Sequence, residues 1–311
     1  MFTMFLLSFL LPVLAGAGIL ALGWLLPPVR KIAWLSGCAF GVALAGGLAL
    51  SYLAESGFPS YPPVRSEGWI MLAALACIPF AFFLSFTEKL EFPWIELTAL
   101  GTGVFVGLLP VISGSELVAG IPKPLFPEMG IVSHATLALE LAFGILIVIR
   151  LAQVRVGATL PTVFAICFTG ASACSMASGW ISLSIMFGVL AAVSGAAALF
   201  ARFSGSPNIG RAGAVVSVGL LIFLSTACWY KTTAPSEVTW WVWILLVGAP
   251  VLLLPLENRF INKLPPAGGY WIRVIVVAIP VVWVLIRIYP AVAGEASNAP
   301  DEMDEMMKMY Q

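Results

Sequence analysis

Apolar runs of about 18 or more residues recur along the whole 311-residue chain, each long enough to cross a hydrocarbon core of about 30 Å at 1.5 Å per residue. In lipid a backbone must satisfy its own polar groups, and a continuous helix does so without a partner segment. A transmembrane β-barrel would alternate apolar and polar residues, which these runs do not. Composition agrees: 61% of residues are hydrophobic and 10% are charged, against about 25% charged in an ordinary soluble domain. The expected fold class is therefore all-α, a polytopic integral membrane protein whose first partner is the lipid bilayer.

Ten spans are predicted, at 2–26, 32–53, 68–86, 94–112, 131–150, 160–180, 182–203, 213–230, 238–256 and 271–291. The connections are short and leave no room for a soluble domain between them. The first run has no basic residue ahead of it and continues to Pro27, so it is expected to be a retained helix rather than a cleaved leader. Lys and Arg near helix ends favour the cytoplasmic side. Ten of the fifteen fall on one side, namely Arg30, Lys31, Lys89, Arg150, Arg155, Arg202, Arg211, Arg259, Lys263 and Arg273. Arg65, Lys123, Lys231, Arg287 and Lys308 fall on the other, so both termini are expected outside, with a bacterial inner membrane as the working location. A net charge of zero supplies no basic surface for nucleic acid.

Landmarks recur at an offset of 146: Trp34 with Trp180, Ser36 with Ser182, Arg65 with Arg211, Glu91 with Glu237, and Trp94 with Trp240. "FGVALAGGLALSYLAESG" is echoed by "FGVLAAVSGAAALFARFSG" with one residue of slippage, and "GLLP" ending at Pro110 by "LLLP" ending at Pro255. An odd number of helices per half would make the second half enter from the opposite side, a 5+5 inverted repeat of the kind transporters use. Chance matching in low-complexity apolar sequence is the alternative. On the repeat reading, residues 1–156 form one five-helix half and 157–294 the other, followed by an acidic, Met-rich exterior tail at 295–311, disordered or forming a short partner-binding helix. In size and helix count this plan resembles the ten-helix drug and metabolite transporters, and in its exterior termini the auxin-efflux-like carriers. The resemblance is one of architecture and not of motif.

"SHATLALELAFGILIVIR", 133–150, carries the one histidine of the chain near its start and Glu140 near its middle. An ionised group at the bilayer centre costs about 2.5 to 3.5 kcal/mol even on lenient insertion scales, so it is expected to be partnered or to face water. Ser133, Thr136 and Gly144 share its helical face. Two readings stand side by side: a carboxylate that couples a proton or cation, and one that fastens its helix to a neighbour. Arg287 is the tempting partner, but its depth and the match of "LIVIR" with "VLIR" suit an interfacial anchor.

The sixth span, "LPTVFAICFTGASACSMASGW", offers Thr169, Ser172 and Ser175 as solute-lining candidates, with close helix packing as the plainer explanation. Gly37, Gly41, Gly101, Gly103 and Gly107 carry the same ambiguity. His134 lies near the exterior and is expected to be an interfacial hydrogen-bonder. The five cysteines, Cys38, Cys77, Cys167, Cys174 and Cys228, are expected to be buried small hydrophobes. Glu96 and Glu257 sit at cytoplasmic helix ends, where pairing with Lys89 or Arg259 is expected. Met303, Met306, Met307 and Met309 suit soft Cu(I), a lesser alternative for the tail.

Catalysis finds little support. The only aspartates, Asp301 and Asp304, are in the tail, no H-E-x-x-H or phosphate-binding glycine loop occurs, and Ser172 lies deeper than His134. No enzyme, cofactor or metal site is predicted. Two functions remain: a transporter of a small neutral or cationic solute, proton-coupled through Glu140, or a non-catalytic subunit of a larger membrane assembly. The proline-rich exterior loops or the tail would contact the partners of such an assembly.

Overall fold

The computed structural model describes residues 6–26, 33–59, 66–86, 101, 103, 131–204, 207–231, 238–257, 263 and 265–309. A π-helical turn, Leu6–Leu10, leads into α1, Leu11–Trp24. There follow α2, Ala33–Ser56, α3, Ser66–Phe86, α4, Ile131–Val154, and α5, Thr159–Ala177. Next come α6, Ile181–Phe203, α7, Gly210–Lys231, and α8, Trp240–Gly248, which tightens into a 3₁₀ segment, Ala249–Leu256. The last helix, α9, is Pro266–Met309. Among the described residues no strand occurs. Among the described residues seven helices are long and apolar enough to cross a membrane, while Ile70–Ser85 and Trp240–Leu256 form shorter apolar helices. This is a membrane-embedded helical protein. The predicted span 94–112 lies outside the described residues apart from Gly101 and Gly103, and the backbone of α9 runs on past the expected boundary at 294.

Local sequence explains where these helices stop. After α5 the chain turns at Gly179, whose φ of +76° suits a residue without a Cβ. Trp180 N–H donates to Ser175 O and Gly179 N–H to Met176 O, the two bonds of a Schellman cap. The cap reverses the chain, and α6 packs back along α5. α8 loses its α-helical form where Pro250 enters, because proline lacks the donor that an α-helical turn requires; Pro255 lies further along the 3₁₀ segment.

α2 and α7 form the centre. α2 packs against α1, α3, α6 and α7, and α7 against α2, α3, α4 and α8. Lipid tails are as apolar as leucine, so close backbone approach and dispersion hold such helices together. At Gly41 an added Cβ would sit 3.1 Å from the Ala212 carbonyl oxygen, so α2 and α7 meet there at a distance only glycine allows comfortably. Phe164, Phe168 and Phe187 interlock α5 with α6, at ring separations of 6.1 and 6.3 Å. Trp24 stacks on Phe40 and donates its indole N–H to Ser36 O at 2.9 Å, joining α1 to α2.

The outer surface is apolar instead of charged. Leu14, Leu22, Phe83, Phe143, Ile275, Ile279 and Ile286 are exposed. On α9 the exposed aromatics Trp271 and Tyr289 lie 18 residues apart, about 27 Å along the axis, which matches two interfacial belts around one hydrocarbon core. Exposed Arg287 lies over Trp283, 5.3 Å from the ring centroid. Cys38, Cys167, Cys174 and Cys228 are buried and Cys77 is half-buried, all as free thiols.

Candidate functional site

Glu140 stands nine residues into α4, about 14 Å from its start and about 21 Å from its end. Thr136, Glu140 and Gly144 recur every fourth residue and therefore share a face. That face lines a cavity of about 450 Å³ between α4, α7 and α8, a volume in the range of small-molecule sites. From α7 come Leu221, Ile222, Ser225, Thr226 and Trp229, and from α8 come Trp240, Trp243 and Ile244. The lining closes beyond Gly248 on Pro250 and Val251, in the 3₁₀ segment. The same helix break that proline imposes thus shapes one end of the cavity. On α4, Gly144 permits the approach of α7: a Cβ there would sit 2.9 Å from Val218 Cγ1.

The polar groups are few. Glu140 is exposed and makes no hydrogen bond or ion pair among the described residues. Ser225 Oγ and Trp243 Nε1 are buried without a hydrogen-bond partner among the described residues. Thr226 donates to Ile222 O at 2.8 Å. No basic side chain lines the cavity among the described residues. The arrangement offers one carboxylate, three hydroxyls, three tryptophans and Phe143 in an otherwise aliphatic wall.

The other predicted site residues divide. Thr136 lines the cavity with Glu140, while the side chains of Ser133 and His134 lie outside the described residues. Thr169 and Ser172 lie on a separate shallow groove between α5 and α6 with Met176, Ser184 and Gly188. Thr169 donates to Ala165 O at 2.8 Å and Ser172 to Ser184 O at 2.7 Å. Buried Ser175 donates to Ala171 O at 2.8 Å and lies 3.1 Å from Cys228 Sγ on α7. These hydroxyls spend their donors within the helical framework and do not join Glu140. Arg287, on the exposed side of α9, does not join it either.

Ser225, Thr226, Trp229 and Trp243 were not legible as one group. Their signals were present separately: "LSTACW" puts Ser225 and Trp229 four apart in an apolar helix, and Trp240 and Trp243 are three apart. What joined them was the packing of α7 against α8.

A second polar centre lies at the far end of α4. Glu257 accepts from Arg155 Nε at 2.6 and 2.7 Å and from Arg273 Nε at 3.1 Å, and it also pairs with Arg155 Nη2. Arg273 Nη1 donates to Gly269 O at 2.9 Å. The sequence did not point to these partners; the expected Lys89 and Arg259 lie outside the described residues along with Glu96. Tertiary packing brings them together: the 3₁₀ segment packs against both α4 and α9, and Glu257 follows directly on it. Tyr270 and Thr162, with hydroxyls 2.9 Å apart, extend the fastening to α5. Among the described residues no three His, Cys, Asp or Glu side chains are placed to hold a metal ion.

The chain matches no family model, no curated protein and no solved structure in comparisons of its sequence and fold.

Proposed function

We propose that this protein is a multi-pass membrane transporter for a small neutral or cationic solute, with Glu140 as the group that couples solute movement to a proton. The observation that carries the reading is the position of Glu140: near the middle of a membrane-spanning helix, exposed to a cavity of about 450 Å³, and without a hydrogen-bond or ion-pair partner among the described residues. A carboxylate in that setting is expensive unless water or a cation reaches it. The absence of basic side chains from the described lining favours a neutral or cationic solute over an anion.

The finer architecture belongs to the same proposal: ten spans in two inverted halves, 1–156 and 157–294, with both termini outside a bacterial inner membrane and no catalytic activity. The pairings of α1 with α2 and of α5 with α6 support the two-half plan.

Water access at position 140 tests the proposal. The five cysteines are replaced, Glu140→Cys is introduced, and intact cells and inverted vesicles are treated with a membrane-impermeant maleimide. Labelling from either side supports the transport pathway. No labelling from both sides, in protein shown to be folded, overturns it and leaves the assembly subunit, bound to partners through exterior loops or tail.

A further inference from the structure

We infer that the cavity beside Glu140 selects an alkylated ammonium cation, paired with the carboxylate and enclosed by the aromatic side chains of Trp229, Trp240 and Trp243. The inference rests on the transport reading and names its solute class. Trp240 and Trp243 are three residues apart on α8, and Trp229 reaches the same cavity from α7. Tryptophan is the strongest cation–π partner among side chains, and the attraction grows when the cation is desolvated.

Other occupants fit less well. A hard cation such as Ca²⁺ or Mg²⁺ takes about six or more oxygen ligands at short range. Here the described lining offers one carboxylate and three hydroxyls, of which Thr226 already donates to the backbone, across a cavity of about 450 Å³. A wholly apolar solute would strip water from Glu140 without replacing its charge partner. An anion would meet a carboxylate and no described basic side chain. An alkylated ammonium presents a positive charge inside an apolar skin, which matches a wall of aliphatic and indole groups around one acid. The cation of this chain that sequence offered as partner, Arg287, is instead over Trp283 on the exposed side of α9.

The test is equilibrium binding of radiolabelled benzyltrimethylammonium to the full chain in phosphatidylglycerol nanodiscs, competed by unlabelled ligand or by its neutral carbon isostere, neopentylbenzene. The cation is expected to compete at least about 10-fold better than the isostere. Glu140→Gln should remove most of that preference, and Trp240→Leu should weaken cation binding about 3- to 30-fold. Trp240 is exposed, so its replacement spares the core; buried Trp243 is tested by Trp243→Phe, which keeps an aromatic ring. Repeating the titration in phosphatidylcholine nanodiscs separates two sources of the same chemistry. At an ionic strength that screens the surface charge of phosphatidylglycerol, weaker binding there assigns the ammonium to a lipid headgroup, and unchanged binding assigns it to a free solute. Equal competition by the isostere, or full cation affinity in Trp240→Leu, overturns the inference. If Glu140→Cys labels while the isostere competes equally, transport stands with a different solute. If position 140 is closed to water yet cation preference persists, the binding site stands and the transport reading falls.

Discussion

Glu257 accepts hydrogen bonds from Arg155 and Arg273 where α4 ends, whereas Glu140, about 21 Å back along the same helix, lines a cavity with no hydrogen-bond or ion-pair partner among the described residues. One acid is held by fork-shaped donors in fixed geometry. The other shares its cavity with aromatic and aliphatic groups and three hydroxyls, none of which supplies a counter-charge. The difference teaches how a chain with 10% charged residues uses them. A carboxylate that receives its counter-charge from its own protein fastens elements together. One that does not is free to receive it from a proton or solute.

The largest expected effect separates these roles directly. Glu257→Ala removes the carboxylate that Arg155 shares with the nearly buried side chain of Arg273 and should cost about 3 kcal/mol. Thermal unfolding in nanodiscs followed by tryptophan fluorescence would show a clear drop in midpoint. Gly103→Ala comes next. Its Cβ would sit 2.6 Å from Ala142 N and 2.8 Å from Ala138 O, both backbone atoms of α4 flanking Glu140. Overpacking of this kind costs about 1 to 3 kcal/mol, and a midpoint unchanged by the substitution would remove Gly103 from the wall behind the site. Tyr270→Phe deletes one hydrogen bond beside the arginine cluster, the contact with Thr162, and should cost about 1 kcal/mol in the same measurement.

Glu140→Gln is expected to change the midpoint least, by about 0.5 kcal/mol or less, since it disturbs no described hydrogen bond or ion pair. Proton-driven solute accumulation in vesicles should nevertheless be lost. A destabilisation as large as that of Glu257→Ala would break the comparison and make Glu140 a second fastener.

Glu140 was legible because cost announces it: a charge in the middle of a long apolar run demands a reason. Its face was legible too, since Thr136 and Gly144 follow from helical spacing and both line the cavity. Thr169, Ser172 and Ser175 looked equally promising by composition. A hydroxyl in a helix can satisfy itself on the carbonyl four residues back, as Thr169 and Ser175 do, so its presence does not announce a cavity. The partners of Glu257 were hidden for another reason. Arg155 lies 102 residues before it, and no periodicity links the two.

By itself the sequence determined the solvent, the all-helical class and the position of the costly acid, because hydropathy, run length and helical spacing act locally along the chain. Only the tertiary structure decided which acid is paired, which hydroxyls are already satisfied, and that three tryptophans from α7 and α8 line the same cavity as Glu140. Such contacts join residues far apart in sequence, and their geometry depends on how closely whole helices approach one another. In this protein small residues set that approach, glycine at Gly41 and Gly144 among them, and their effect is visible only once both helices are in place.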